Sequence, residues 1–187
     1  MRAVTLDWSD AGLAARMRQG WSGGLAEGTP CGPGSLLRHS ANAREWIPRI
    51  MHEHALRTLC DAGAGDGYWM EGMGIQFHYR PFDLVPRNPW VTRLDFTREL
   101  LPDCDVVLCR CVLLHLDPPR VHSALALFRV AAPYLIATTE PSDNAFNPAR
   151  QCNPVDLTAP PYNLGEPLDS VADLEGESAR LGLWRLR

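Results

Sequence analysis

Three aspartates each close a run of residues with β-strand character: Asp61 in RTLCDAG, Asp83 in FHYRPFD and Asp95 in VTRLD. The first runs straight into Gly63, Gly65 and Gly67, where a backbone without Cβ atoms can turn sharply and lie close to a ligand. The spacing is G-x-G-x-G. That departs from the G-x-G-x-x-G of dinucleotide folds, whose third glycine packs a helix beneath a pyrophosphate. The connection that follows, YWMEGM, is too short to bring a strong helix dipole to a diphosphate, so pyrophosphate binding is disfavoured. Asp83 stands at the next strand end, where a carboxylate can accept from both ribose hydroxyls. Asp95 can accept from an adenine amino group while Phe96 offers an apolar side and a backbone N–H. A tight connection explains the glycine turn alone, and capping explains any single strand-end aspartate; three together on one sheet edge point to a nucleoside-like ligand.

Other residues are candidates for acid–base work. His115 in VLLHLDP can take a proton near neutral pH, although packing and hydrogen bonding explain a histidine there more readily. Glu140 ends a later strand and can act as acid or base or cap the following loop. Tyr162 and Asn163 in PPYN can line an acceptor pocket or make a turn. Asp117-Pro118-Pro119-Arg120 lacks the aromatic residue of an amino-methylating DNA enzyme's motif and reads as a helix start. Cys109 and Cys111 lie in an apolar run with no preceding proline, which favours inert thiols over an activated nucleophile.

These residues need a scaffold, and the sequence supplies an alternating one. Strands are expected at 57–63, 77–83, 91–95, 104–110 and 134–140, with a helix at 121–131 between the last two and two antiparallel closing strands at 168–172 and 180–186. A short amphipathic helix is expected at 9–19 and a Gly/Pro-rich loop at 21–35. A second helical pattern follows over 36–56, burying Leu36, Leu37, Trp46, Ile47, Ile50 and Met51, with Pro48 as a possible kink. The fold class is α/β, a Rossmann-like doubly wound, mostly parallel sheet with an antiparallel C-terminal strand pair and shortened helices on one half. One domain, 1–187, is expected, with 1–56 as a helical, lid-like extension and 57–187 as the α/β core.

Composition excludes several classes. The formal charge is −4 and all 18 basic residues are arginine, with no basic tract, so strong nonspecific binding to nucleic acid is not expected. No stretch has the length of a membrane span and no secretion signal is read, so a cytoplasmic location is expected. The six cysteines include no C-x-x-C; they read as reduced core residues, and no metal site is expected.

The ordered series D-A-G-A-G-D-G, Asp83, L-D-F and C-D-V-V-L-C-R-C-V-L-L-H-L resembles the motif series of class I S-adenosylmethionine-dependent methyltransferases, and WSGGLAEGTPCGPGS with the terminal LGLWRL resembles small bacterial and phage-type members. The resemblance implies S-adenosylmethionine as cofactor and S-adenosylhomocysteine as product. It implies that Asp61, Gly63 and Gly65, with Ala62, Ala64 and Trp69, surround the methionine portion, that Asp83 with Leu84 holds the ribose, and that Asp95 with Phe96 holds the adenine. Cys109 and Arg110 would approach the sulfonium through their backbone, and Trp21, Gly34 and Ser35 would close over the cofactor. The family's helices after the glycine turn and after the ribose acid are curtailed here, which implies a more open adenine side. Direct methyl transfer to O or N of a small molecule, modified sugar or base is expected, with a silent binding module or a nucleic-acid base methyltransferase as alternatives. The acceptor pocket is expected from loop 21–35, residues 110–118 and segment 141–165, offering Arg110, His115, Glu140, Asn144, Asn147 and Tyr162.

Overall fold

The structure is a computed structural model that describes residues 6–20, 29–174 and 178–187. Its strands are β1 (Thr58–Ala62), β2 (His78–Asp83), β3 (Thr92–Arg93), β4 (Val106–Cys109), β5 (Tyr134–Thr139), β6 (Asp169–Ala172) and β7 (Arg180–Arg185), and its helices are α1 (Asp10–Gln19), α2 (Leu37–Glu53) and α3 (Pro118–Ala131). All seven strands form one sheet in the order β3-β2-β1-β4-β5-β7-β6. The β1–β2, β1–β4, β2–β3 and β4–β5 pairs are parallel, whereas β7 runs antiparallel to both β5 and β6. Strand order therefore reverses between β1 and β4, the position in an open α/β sheet where ligands bind outside the carboxyl ends.

The central strands are buried on both faces, as the apolar runs VVLC and YLIATT require. Cys60, Ala62, Val107, Cys109, Leu135 and Ala137 face α3, which contributes Val121, Ala124, Leu125 and Phe128. Their neighbours Leu59, Val106, Leu108 and Ile136 face α2, which contributes Ala43, Trp46, Ile47, Ile50 and Met51. Pro48 lies inside α2, which continues to Glu53. Leu37 is 43% exposed, against the expectation of burial. The buried stripe of α2 extrapolates backwards to Leu36, which fills that site from the extended residue before the helix.

Helical cover is thin on the β1-β2-β3 side, as expected. A 3-10 turn at Tyr68–Met70 is the one helical piece between β1 and β2, and no helix lies between β2 and β3 or β3 and β4. Trp69 and Met70 are buried in the α2-side core where a longer helix would otherwise pack. β3 is shorter than expected, because the Asp95 carboxylate accepts from the Thr97 backbone N–H at 3.0 Å and hydroxyl at 2.6 Å and turns the chain immediately after the strand. α3 begins where the D-P-P-R reading puts a helix start: Asp117 caps it, accepting from the Arg120 N–H, with Pro118 in the first turn.

Candidate active site

A cavity of about 480 Å³ lies along the carboxyl ends of the parallel strands, within the ~300–1,000 Å³ common for small-molecule and cofactor sites. Gly63, Ala64 and Gly65 line it after β1, Asp83 and Leu84 after β2, and Asp95 and Phe96 after β3. Gly34, Ser35, Trp69, Arg110, His115 and Glu140 also reach the wall.

The glycine turn is pinned from below. Gly63 and Ala64 donate their N–H groups to the Phe82 carbonyl at 2.8 and 3.0 Å, and Gly65 donates to Asp83 Oδ2 at 2.8 Å. Gly63 and Gly65 have φ of 99° and 62°, and a Cβ would strike Val112 at the first and come within 2.7 Å of Cys31 Sγ at the second. Backbone sterics and close neighbours both demand glycine. Asp83 Oδ1 accepts from the Val85 N–H at 2.8 Å. A carboxylate oxygen has about two acceptor directions, so each Asp83 oxygen keeps one beyond the loop it braces. Burial pushes the Asp83 carboxyl up, while the Val85 and Gly65 N–H groups pull it down.

Asp61 and Ala62 do not reach the wall; they lie beneath the turn at 2% and 0% exposure. Burial pushes the Asp61 carboxyl up to about 7, opposed by the Tyr79 hydroxyl, which donates to Oδ2 at 2.6 Å. Cys109 is likewise buried behind the wall. Burial raises its thiol and carries that of Cys111 to about 12, which fits inert thiols. Cys111 differs from the expected core residue, since it reaches the wall with φ of 56°.

The structure corrects several acceptor-side expectations. The Arg110 guanidinium is not presented to the cavity as a handle. It is buried on Asp173, donates to the Gly34 carbonyl at 2.6 Å and the His39 carbonyl at 3.1 Å, and lies 4.8 Å from the Trp69 ring centre. Asn144 is spent on knitting segment 141–165 together, donating to the Asp156 and Pro160 carbonyls and accepting from the Asp156 N–H. Asn147 braces its own turn through the Ala149 N–H, and Tyr162 packs in the α3-side core, 5.1 Å from the His122 ring. None of these three lines the cavity. Trp21 lies outside the described residues.

His115 and Glu140 do line the cavity. Burial pushes the His115 imidazole down to about 4, partly offset by its contact with the Gln151 carbonyl at 3.2 Å. The ring is therefore neutral at pH 7 and a weak base. Glu140 Oε1 accepts from the Ser178 hydroxyl at 3.1 Å. Arg150, Cys152 and Pro154, from the long segment after β5, line the cavity as well.

The expectation of a lid-like 1–56 extension did not name the residues of the first helix that reach the cavity. Leu13 and Met17 of α1 lie on the wall. Arg98 and Arg120 both pair with Asp10 at the start of α1, and Arg87 donates to the Met17 carbonyl at its end. α1 is short, and only its apolar positions hinted at which of its residues reach the cavity.

No protein-family model and no curated protein sequence matches the chain. Solved structures do. The 1,6-didemethyltoxoflavin-N1-methyltransferase of Burkholderia thailandensis, with its substrate and S-adenosylhomocysteine bound, superposes with a TM-score of 0.55 at 21% identity, covering 76% of this chain and 77% of that one. The magnesium protoporphyrin IX methyltransferase of Synechocystis PCC 6803, with S-adenosylmethionine bound, gives 0.51 at 16% identity, covering 76% and 78%. The N-terminal domain of EvdMO1 with S-adenosylhomocysteine gives 0.52 at 15% identity, covering 77% and 81%. The fold is that of the class I S-adenosylmethionine-dependent methyltransferases.

Proposed function

We propose that this protein is an S-adenosylmethionine-dependent methyltransferase acting on an oxygen or nitrogen of a small molecule or of a modified sugar or base. One observation carries the reading: the glycine turn, the Asp83 carboxylate and the Asp95–Phe96 step share one cavity at the point where strand order reverses. The donors and acceptors fit the cofactor. Asp83 keeps acceptor capacity for ribose hydroxyls, the glycine turn admits close backbone approach, and Asp95 with Phe96 offers a polar edge and an apolar side to adenine. When bound, S-adenosylmethionine supplies a methyl group activated by its sulfonium.

The chain's own contribution is orientation and exclusion of water. Val112, Leu114 and Leu116 from the segment after β4 give the acceptor end an apolar surface, and Leu13 and Met17 from α1 add apolar wall to the same cavity. Cover by α1 favours a small acceptor over a duplex or a folded protein. In this reading neutral His115 orients an acceptor by hydrogen bonding, and Glu140, which lines the same cavity, receives the acceptor's proton. The second reading is a module that binds the cofactor without turning it over, favoured by the curtailed helical cover between β1 and β3.

The test is formation of S-adenosylhomocysteine from S-adenosylmethionine against a panel of small phenols, aromatic amines, nitrogen heterocycles and sugars. Acceptor-dependent product is expected. Binding with no turnover across the panel would favour the silent module, and consumption without an acceptor would point to lyase or hydrolase chemistry.

A further inference from the structure

The most heavily bonded charged pair in the described chain lies directly behind the cavity. Asp173, just after β6, is 1% exposed, and Arg110, just after β4, is 6% exposed. Asp173 Oδ1 accepts from both Nε and Nη2 of Arg110 at 2.8 Å. Asp173 Oδ2 accepts from the Thr138 hydroxyl at 2.8 Å. The Thr138 oxygen in turn accepts from the backbone N–H of Cys111 at 2.9 Å. Two chains of hydrogen bonds therefore run from one carboxylate to backbone that lines the cavity, and the Cys111 thiol also contacts Asp173 Oδ2 directly at 3.7 Å. The first passes through Arg110 to the Gly34 carbonyl, and the second through Thr138 to the Cys111 N–H.

Both backbone endpoints need holding. Cys111 has φ of 56°, a left-handed conformation that disfavours residues with a Cβ. Gly34 lies against it, since a Cβ at Gly34 would come within 3.2 Å of Cys111 Sγ. A buried ion pair is a poor way to gain stability, because desolvation offsets much of its attraction and apolar replacements are often as stable. Its geometry here has a different consequence, which is to set where Gly34 and Cys111 stand relative to each other across the wall.

We propose that Asp173 is a positioning residue for the cofactor-binding wall, acting through Arg110 and Thr138 to fix the backbone at Gly34 and Cys111. It touches no ligand itself. The proposal rests on the cofactor reading above and adds to it a residue from the far end of the sequence. Asp173 holds the wall in its binding shape before any ligand arrives, so its loss weakens binding in a chain that is still folded.

The experiment is calorimetric titration with S-adenosylhomocysteine of the wild type and the Asp173→Asn, Thr138→Val and Ile50→Val variants, each below its own unfolding midpoint. Ile50 is a control for lost stability, since it is buried in the α2-side core and does not line the cavity. Asp173→Asn is expected to weaken binding about tenfold or more, and Thr138→Val, which cuts the link to the Cys111 backbone and leaves the Arg110 pair, severalfold. Ile50→Val is expected to lower the unfolding midpoint with affinity unchanged. Combining Asp173→Asn with Thr138→Val should weaken binding by less than the product of the single effects, because both cut one chain. Wild-type affinity in folded Asp173→Asn overturns the proposal; if that variant does not fold, wild-type affinity in Thr138→Val does so. Absence of binding by the wild type would instead overturn the cofactor reading, together with the proposal built on it.

Discussion

Asp61 and Asp83 place two carboxyl groups in poorly solvated positions under and beside the glycine turn, and burial raises both. The consequence for stability has a definite sign. Between its ordinary value of 3.8 and about 7, folded Asp61 holds a proton that the unfolded chain has released. Stability therefore falls as pH rises across that window, and the loss is complete above about 7. Asp61→Asn should flatten this slope, raising the unfolding midpoint more at about pH 8 than at about pH 5. Asp83 contributes in the same direction, so part of the slope should survive. An equal effect of Asp61→Asn at both pH values, read by urea titration, would contradict a buried, titrating Asp61. At this scale the sequence was informative wherever a residue's own chemistry set its place: glycines where φ is positive, aspartates at strand ends. It offered Arg110 to the acceptor pocket and gave no sign of Asp173, because a side chain's partner 63 residues away leaves no local pattern. Asn144, Asn147 and Tyr162 misled for a related reason. Polar residues in a long loop bind that loop's own backbone as readily as a ligand, and composition does not distinguish the two uses.

Individual elements were legible in proportion to their periodicity. β4 and β5 read as continuous apolar runs and α3 carried its own Asp-Pro start, so their places were secure. β3 shrank to two residues because Asp95 turns the chain early. β1 and β4, which together form the floor of the site, share an anchor that no pattern revealed. Asp105 Oδ2 accepts from the Arg57 and Thr58 N–H groups at 2.8 Å and from the Thr58 hydroxyl at 2.9 Å. Burial pushes its carboxyl up, but these hydrogen bonds outweigh it and hold the group below its ordinary value. Asp105→Ala should therefore cost about 1–3 kcal/mol of stability at neutral pH. Because the folded carboxyl is depressed, its contribution is present above the unfolded value and disappears as pH falls through the folded one. Urea denaturation at neutral pH checks the magnitude; a loss below experimental error would show that the β1–β4 register is held by the sheet alone.

Among the described residues the molecule is a sheet covered by one long helix on each face, with α1 placed at the carboxyl edge as part of the cavity wall. That arrangement joins in one cavity the strand ends of β1, β2 and β3 and the segments that follow β4 and β5. The mostly parallel sheet and its antiparallel closing pair were readable from alternation and spacing, whereas the insertion of β7 between β5 and β6 was not. A lid-like extension was expected from 1–56, but the docking of α1 by long-range arginine contacts leaves no helix pattern. Among the described residues no helix is long and apolar enough to cross a membrane. The account as a whole depends on the cavity holding S-adenosylmethionine with Asp83 on its ribose. The most direct measurement is calorimetric titration of the wild type and Asp83→Ala with S-adenosylhomocysteine. One site of micromolar affinity is expected, weakened by about 1–3 kcal/mol in the variant. No binding by the wild type, or equal binding by Asp83→Ala, would contradict it.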